Sequence, residues 1–105
     1  MTERICEVII TADDETWLAG LTRALVDEHL VACGQLINSV SSTYRWAGEV
    51  QTSREARVAL HTREALMPTL ITRVRAEHTY EVPCVIALPV MMANPDYVDW
   101  VVAST

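Results

Sequence analysis

The chain has 105 residues, half of them hydrophobic, and its 14 acidic against 8 basic side chains give a formal net charge of −6. That length suits one domain, residues 1–105, which buries only roughly 60–70% of its unfolded surface and gains from association with copies of itself. The acidic balance excludes duplex nucleic acid as a natural partner, since neutralising phosphates takes a basic patch, and suits a cation-handling surface.

Ile5 to Thr11 is a β-rich apolar run and reads as the first strand. Thr11-Ala12-Asp13-Asp14-Glu15 supplies N-cap residues and first-turn acids for a helix reaching about His29. Trp17, Leu18, Leu21 and Leu25 recur on it at helical spacing, so one face is buried. His29 suits the negative end of the helix dipole. A long second strand runs from Val31 to Tyr44, where Ser39, Ser41 and Ser42 signal a bend or bulge. Arg45 to Glu49 is a hairpin turn in which Gly48 is free to take positive φ. The third strand covers Val50 to His61. It puts Ala56, Val58 and Leu60 on one face and Arg57, Ala59 and His61 on the other. The second helix is placed at Arg63 to His78, with Thr62 as N-cap and Leu66, Leu70 and Val74 as its inner stripe. Pro68 conflicts with that span, because inside a helix it costs about 3 kcal/mol; the helix starts later or kinks there. Cys84 to Val90 is the fourth strand. Pro95 and Asp96 open a terminal helix through Tyr97, Trp100 and Val101.

This order predicts an α+β, ferredoxin-like β-α-β-β-α-β unit with a C-terminal helix. Its antiparallel sheet is ordered 4-1-3-2 with helices on one face. Both strand faces are too apolar for water, so a second subunit is the economical cover. The apolar segments are shorter than the about 20 residues of a membrane span, and Met1-Thr2-Glu3-Arg4 shows no leader pattern. The expectation is a cytoplasmic protein with no membrane partner, in which Cys6, Cys33 and Cys84 stay thiols.

In that sheet the end of strand one, the hairpin turn and the start of strand four lie toward one pole. His78, Tyr80, Glu81, Cys84, Tyr44 and Trp46 can gather there, within one subunit or across an interface. Thiolate, imidazole and carboxylate together suit copper or zinc better than Mg²⁺. No CxxC or HxxxH spacing marks a preformed site. Capping by His78 and a loop hydrogen bond or intersubunit salt bridge by Glu81 account for the same residues. Tyr44, Trp46 and Trp100 suit interface packing as well as ligand stacking. Cys6 and Cys33, with strand three between them, read as small buried groups too far apart to bridge. Met91-Met92 reads as loop packing rather than a copper pair. The sequence has no phosphate loop, no Ser-His-Asp arrangement and no paired catalytic carboxylates. Cys84 and His78 are the one nucleophile–base candidate, so neither an enzyme nor an organic cofactor is expected.

Several segments carry a further signal. Leu25-Val26-Asp27-Glu28-His29-Leu30-Val31-Ala32-Cys33 fits an LV-x-x-x-L-x-A-C pattern, and Ser42-Thr43-Tyr44-Arg45-Trp46-Ala47-Gly48 fits S-x-Y-x-W-x-G. With Thr11–Glu15, His61-Thr62, His78-Thr79-Tyr80-Glu81-Val82-Pro83, Leu88-Pro89 and Asn94–Trp100, they resemble the divalent-cation tolerance (CutA) family in order and spacing over nearly the whole chain. The chain departs from that family at Thr79, usually Pro; at Cys84, commonly acidic; at His61, usually Lys; and at Gly34-Gln35, usually Val-Asn. The resemblance implies a homotrimer similar in architecture to PII-type signalling proteins, with lateral clefts between subunits, linked to tolerance of divalent metals, especially copper. The metal set it suggests is His78, Glu81 and one of Cys33 or Cys84, holding Cu²⁺ or another divalent metal. Tyr44, Trp46, His61, Tyr80 and Trp100 are the candidate cleft residues. The same cleft suits a small anion or metabolite. The alternative is a non-catalytic structural or signalling scaffold that binds metal adventitiously.

Overall fold

Eight mostly buried residues open the fold as β1 (Ile5–Ala12), followed by α1 (Glu15–Asp27), β2 (Cys33–Trp46), β3 (Glu49–Arg63), α2 (Met67–Glu77), β4 (Val85–Pro89) and α3 (Pro95–Ala103). The computed structural model describes residues 3–105; Met1 and Thr2, part of the run searched for a leader, lie outside the described residues. The four strands form one antiparallel sheet in the order β2-β3-β1-β4.

The local rules explain most boundaries. Asp14 caps α1, its carboxylate accepting the Trp17 N–H at 3.0 Å. His29, at φ +59°, ends the turn after α1, with its Nδ1 3.2 Å from the Ser104 carbonyl oxygen. The Ser-rich stretch of β2 carries a bulge: pairing with β3 slips between Ile37 and Val40, and Ser39 takes φ +67°. The hairpin turn narrows to Ala47 and Gly48, both at positive φ, between the paired residues Trp46 and Glu49.

The second helix differs from the Arg63–His78 expectation. β3 runs on to Arg63, a 3₁₀ turn spans Glu64–Leu66, and α2 starts at Met67. Pro68 therefore sits in the first turn, where no helical hydrogen bond is lost. Thr62 is not a cap: it lies inside β3, fully buried, and its hydroxyl donates to the Leu30 carbonyl at 2.6 Å. Cys84 falls one residue before β4.

Cys6, Val8, Ile10 and Ala12 of β1 and Ala56, Val58 and Leu60 of β3 pack against Leu18, Leu21 and Leu25 of α1 and Leu70 and Val74 of α2. Gly34 lets α1 approach: a Cβ there would lie 2.5 Å from Thr22 Cγ2 and 2.8 Å from Leu60 Cδ2. The expectation of helices on one face holds for α1 and α2 only. α3 packs on the reverse face, where Val101 meets Ile5 and Ala32. The rest of that face stays open, with Ile37, Ile86 and Leu88 exposed at 54%, 51% and 45%.

Candidate functional site

The end of β1, the β2–β3 hairpin and the segment before β4 together frame a cleft of about 530 Å³. Alternation along the strands puts Ser42, Tyr44, Gln51, Glu55 and Thr11 on the open side of the sheet. Tyr80, Glu81, Val82 and Cys84 close the cleft from the loop after α2, and Arg45 and Trp46 from the hairpin. Five of the six residues expected to gather at this pole, Tyr44, Trp46, Tyr80, Glu81 and Cys84, line it within one chain.

His78 stands behind the cleft wall. It is buried, its Nε2–H donates to the Thr11 carbonyl at 2.8 Å, and its Nδ1 accepts the Tyr80 N–H at 3.0 Å. That pattern requires a neutral imidazole with its proton on Nε2. Trp17 and Tyr80 flank the ring, with centroids 5.0 Å and 4.7 Å away. His78 thus holds the Tyr80 backbone and has no free lone pair to offer. The Tyr80 hydroxyl donates to Glu55 at 2.6 Å. Burial foremost, then this bond and the Glu55 charge, raise the Tyr80 phenol well above its ordinary range. Glu55 was not anticipated; its signal in the sequence is a carboxylate on the open side of β3 one register step from the bulge.

Cys33, His61 and Trp100 are elsewhere. They lie toward the α3 end of the open face, with Tyr97 and Glu7. The sequence-derived metal set is thus divided: Glu81 and Cys84 line the cleft, His78 supports it, and Cys33 belongs to a second cluster. Among the described residues, no three of His, Cys, Asp and Glu stand together as a metal-holding group. The three cysteines are free thiols. Burial foremost, then the charge of Glu64, raises the pKa of Cys6, which keeps that thiol protonated and inert. Among the described residues no helix is long and apolar enough to cross a membrane.

With the geometry in view, comparison with known proteins is direct. The family model of the CutA1 divalent ion tolerance protein matches residues 6–104. The divalent-cation tolerance protein CutA of Thermus thermophilus is 38% identical over 98 residues, covering 93% of this chain and 95% of the relative. A solved divalent cation tolerance protein (Cut A1) from the same species superposes with a TM-score of 0.93 at 37% identity, over 96% of this chain and 98% of that one. Protein CutA of Mus musculus is 37% identical over 97 residues, 92% of this chain, but the chain spans only 55% of the mouse protein's length. A structure described as the periplasmic divalent cation tolerance protein CutA from Archaeoglobus fulgidus shares the fold, with a TM-score of 0.91 at 23% identity over 95% of this chain and 97% of that one.

Proposed function

The chain belongs to the CutA1 divalent ion tolerance family, and from that premise we propose that it is a non-catalytic homotrimer that binds a divalent ion, copper foremost, in clefts between subunits. Each subunit is one ferredoxin-like domain, PII-like in assembly. The observation that carries this reading is the open apolar face running into a half-walled cleft. A face that leaves Ile37, Ile86 and Leu88 in water favours a second copy of itself. A neighbour laid on that face supplies the missing wall.

The residues present fit a borderline ion. Cys84 offers a thiol and Glu81 and Glu55 carboxylates around the cleft, softer donors than the all-oxygen shell that Mg²⁺ prefers, and since no three such groups stand together among the described residues of one chain, a neighbour's side chains would complete the set. His78 joins only by giving up two hydrogen bonds. Its role in this reading is to hold the Tyr80–Glu81 segment in place. Tyr44, Trp46 and Tyr80 are the aromatic wall that would exclude water from the ion or from a small organic ligand. The reading places the protein in the cytoplasm, where the thiols remain reduced.

The test is titration of the reduced, metal-free protein with Cu²⁺ and Zn²⁺, its mass followed by light scattering. The expected result is a stable trimer whose metal affinity falls at least about tenfold in Cys84→Ser and in Glu81→Gln. A second reading, a scaffold trimer with adventitious metal, is favoured by the lack of three grouped donors among the described residues of one chain. It would be established by a trimer whose weak metal binding neither substitution changes. A monomer would refute both.

A further inference from the structure

We propose that Cys33, His61 and Tyr97 form a second metal site, for a zinc-like ion, built within one chain and oriented by Glu7. It is separate from the cleft and does not rest on the cleft reading.

Strand register assembles it. Cys33 opens β2 opposite His61 of β3, and His61 lies opposite Glu7 of β1, so one row across three strands carries thiol, imidazole and carboxylate on the same face. α3 then lays Tyr97 over that row. The His61 Nε2–H donates to Glu7 at 3.0 Å. This bond fixes the imidazole proton on the far nitrogen and leaves the Nδ1 lone pair directed at the other two groups. Cys33 Sγ is 3.6 Å from Nδ1 and 3.3 Å from the Tyr97 hydroxyl, which itself hydrogen-bonds Nδ1.

Those spacings suit coordination. With zinc–sulfur and zinc–nitrogen bonds of about 2.3 and 2.05 Å, a tetrahedral ion holds its sulfur and nitrogen ligands about 3.5 Å apart. The Cys33–His61 separation of 3.6 Å already matches. The Tyr97 oxygen alone must draw back from Nδ1 to admit the ion. A carboxylate behind the imidazole is the arrangement that orients metal-bound histidines. A neutral phenol is the weak donor of the set, Cys33 and His61 are the strong pair, and a water or a neighbouring copy's group completes four ligands. His61 is only 18% exposed, which lowers competition from bulk water.

Cobalt(II) is the probe, because a thiolate ligand gives it a near-ultraviolet charge-transfer band that other donors do not. Titrating the reduced, metal-free full chain is expected to produce that band together with the intense visible bands of a tetrahedral ion. Cys84→Ser, which silences the cleft thiol, should retain a charge-transfer band, and Cys33→Ser added to it should remove that band. Glu7→Gln should weaken Co²⁺ binding about tenfold, and His61→Gln by more. Circular dichroism checks each variant's fold. If Cys33→Ser does not fold, His61→Gln and Tyr97→Phe decide: a spectrum unchanged in both overturns the site. So does the lack of any band in the parent protein. A band lost in Cys84→Ser and kept in Cys33→Ser overturns this site while supporting the cleft.

Discussion

The two faces of the sheet are solved differently. On one, side chains of β1 and β3 meet those of α1 and α2, and Val8, Ile10, Leu18, Leu25, Val58, Leu60, Leu70 and Val74 are all sealed from water. On the other, α3 covers one end and the remainder shows isoleucine and leucine to solvent beside two polar clusters. The first face is complete within a single chain, whereas the second is left partly open. The candidate chemistry sits on the second, where unfilled space and polar side chains coexist.

The largest expected effect tests the closed face. Leu25→Ala leaves a cavity between α1 and the sheet and should lower stability by about 2–5 kcal/mol. Denaturant unfolding at several protein concentrations checks this, since the loss should be the same at each. The open face should answer oppositely. Ile86→Asp places a charge beside Ile9 on the exposed side of β4, at a residue already half in water. It should cost the isolated fold little but weaken association by about 2–4 kcal/mol, the size of an interface hot spot. Light scattering should show smaller particles, and the unfolding midpoint should lose its dependence on concentration. Unchanged mass would show that association uses another surface and would break the contrast.

A third, smaller effect probes how the closed face is tied to the segment that leads into β2. Thr62→Val keeps the volume at a fully buried position but strands the Leu30 carbonyl, now bound at 2.6 Å. The expected loss is about 1–3 kcal/mol. It should appear in amide exchange of residues 30–33 before it appears elsewhere. Uniform acceleration would instead mean that this segment opens only with the whole domain.

How far these features were legible in the sequence follows the same division. The closed face was readable because its signals are periodic: the leucine stripe of α1 and the alternation of Ala56, Val58 and Leu60 each name a buried side. Strand order then placed Tyr44, Trp46, Tyr80, Glu81 and Cys84 together. The errors arose where a local signal competed with tertiary context. Thr62 looks like a cap because threonine precedes a helical pattern, yet β3 continues past it and Pro68 moves the start of α2. His78 looks like a ligand because the sequence cannot reveal that a carbonyl and an amide take both its nitrogens. Tyr97 and Glu7 were missed beside His61 because their meeting depends on register across three strands and on which face receives α3. A single Glu inside the apolar run of β1 was the available hint.

The smallest effect concerns the hairpin that frames the cleft beyond both faces. Ala47 holds φ +52° next to Gly48 at +80°. A left-handed conformation costs a residue with a Cβ about 1–2 kcal/mol, while Asn tolerates it and forms the favoured Asn-Gly pair of such turns. Ala47→Asn should therefore stabilise the hairpin by about 0.5–1 kcal/mol. Because the tip touches neither packed face, that gain should be local. Amide exchange near the Trp46–Glu49 pair should slow while the global unfolding midpoint barely moves. A midpoint that rises in step would show that the hairpin unfolds with the sheet, so that the cleft's outer wall is as rigid as the closed face. An unchanged exchange rate would remove backbone strain at Ala47 as a property of the turn.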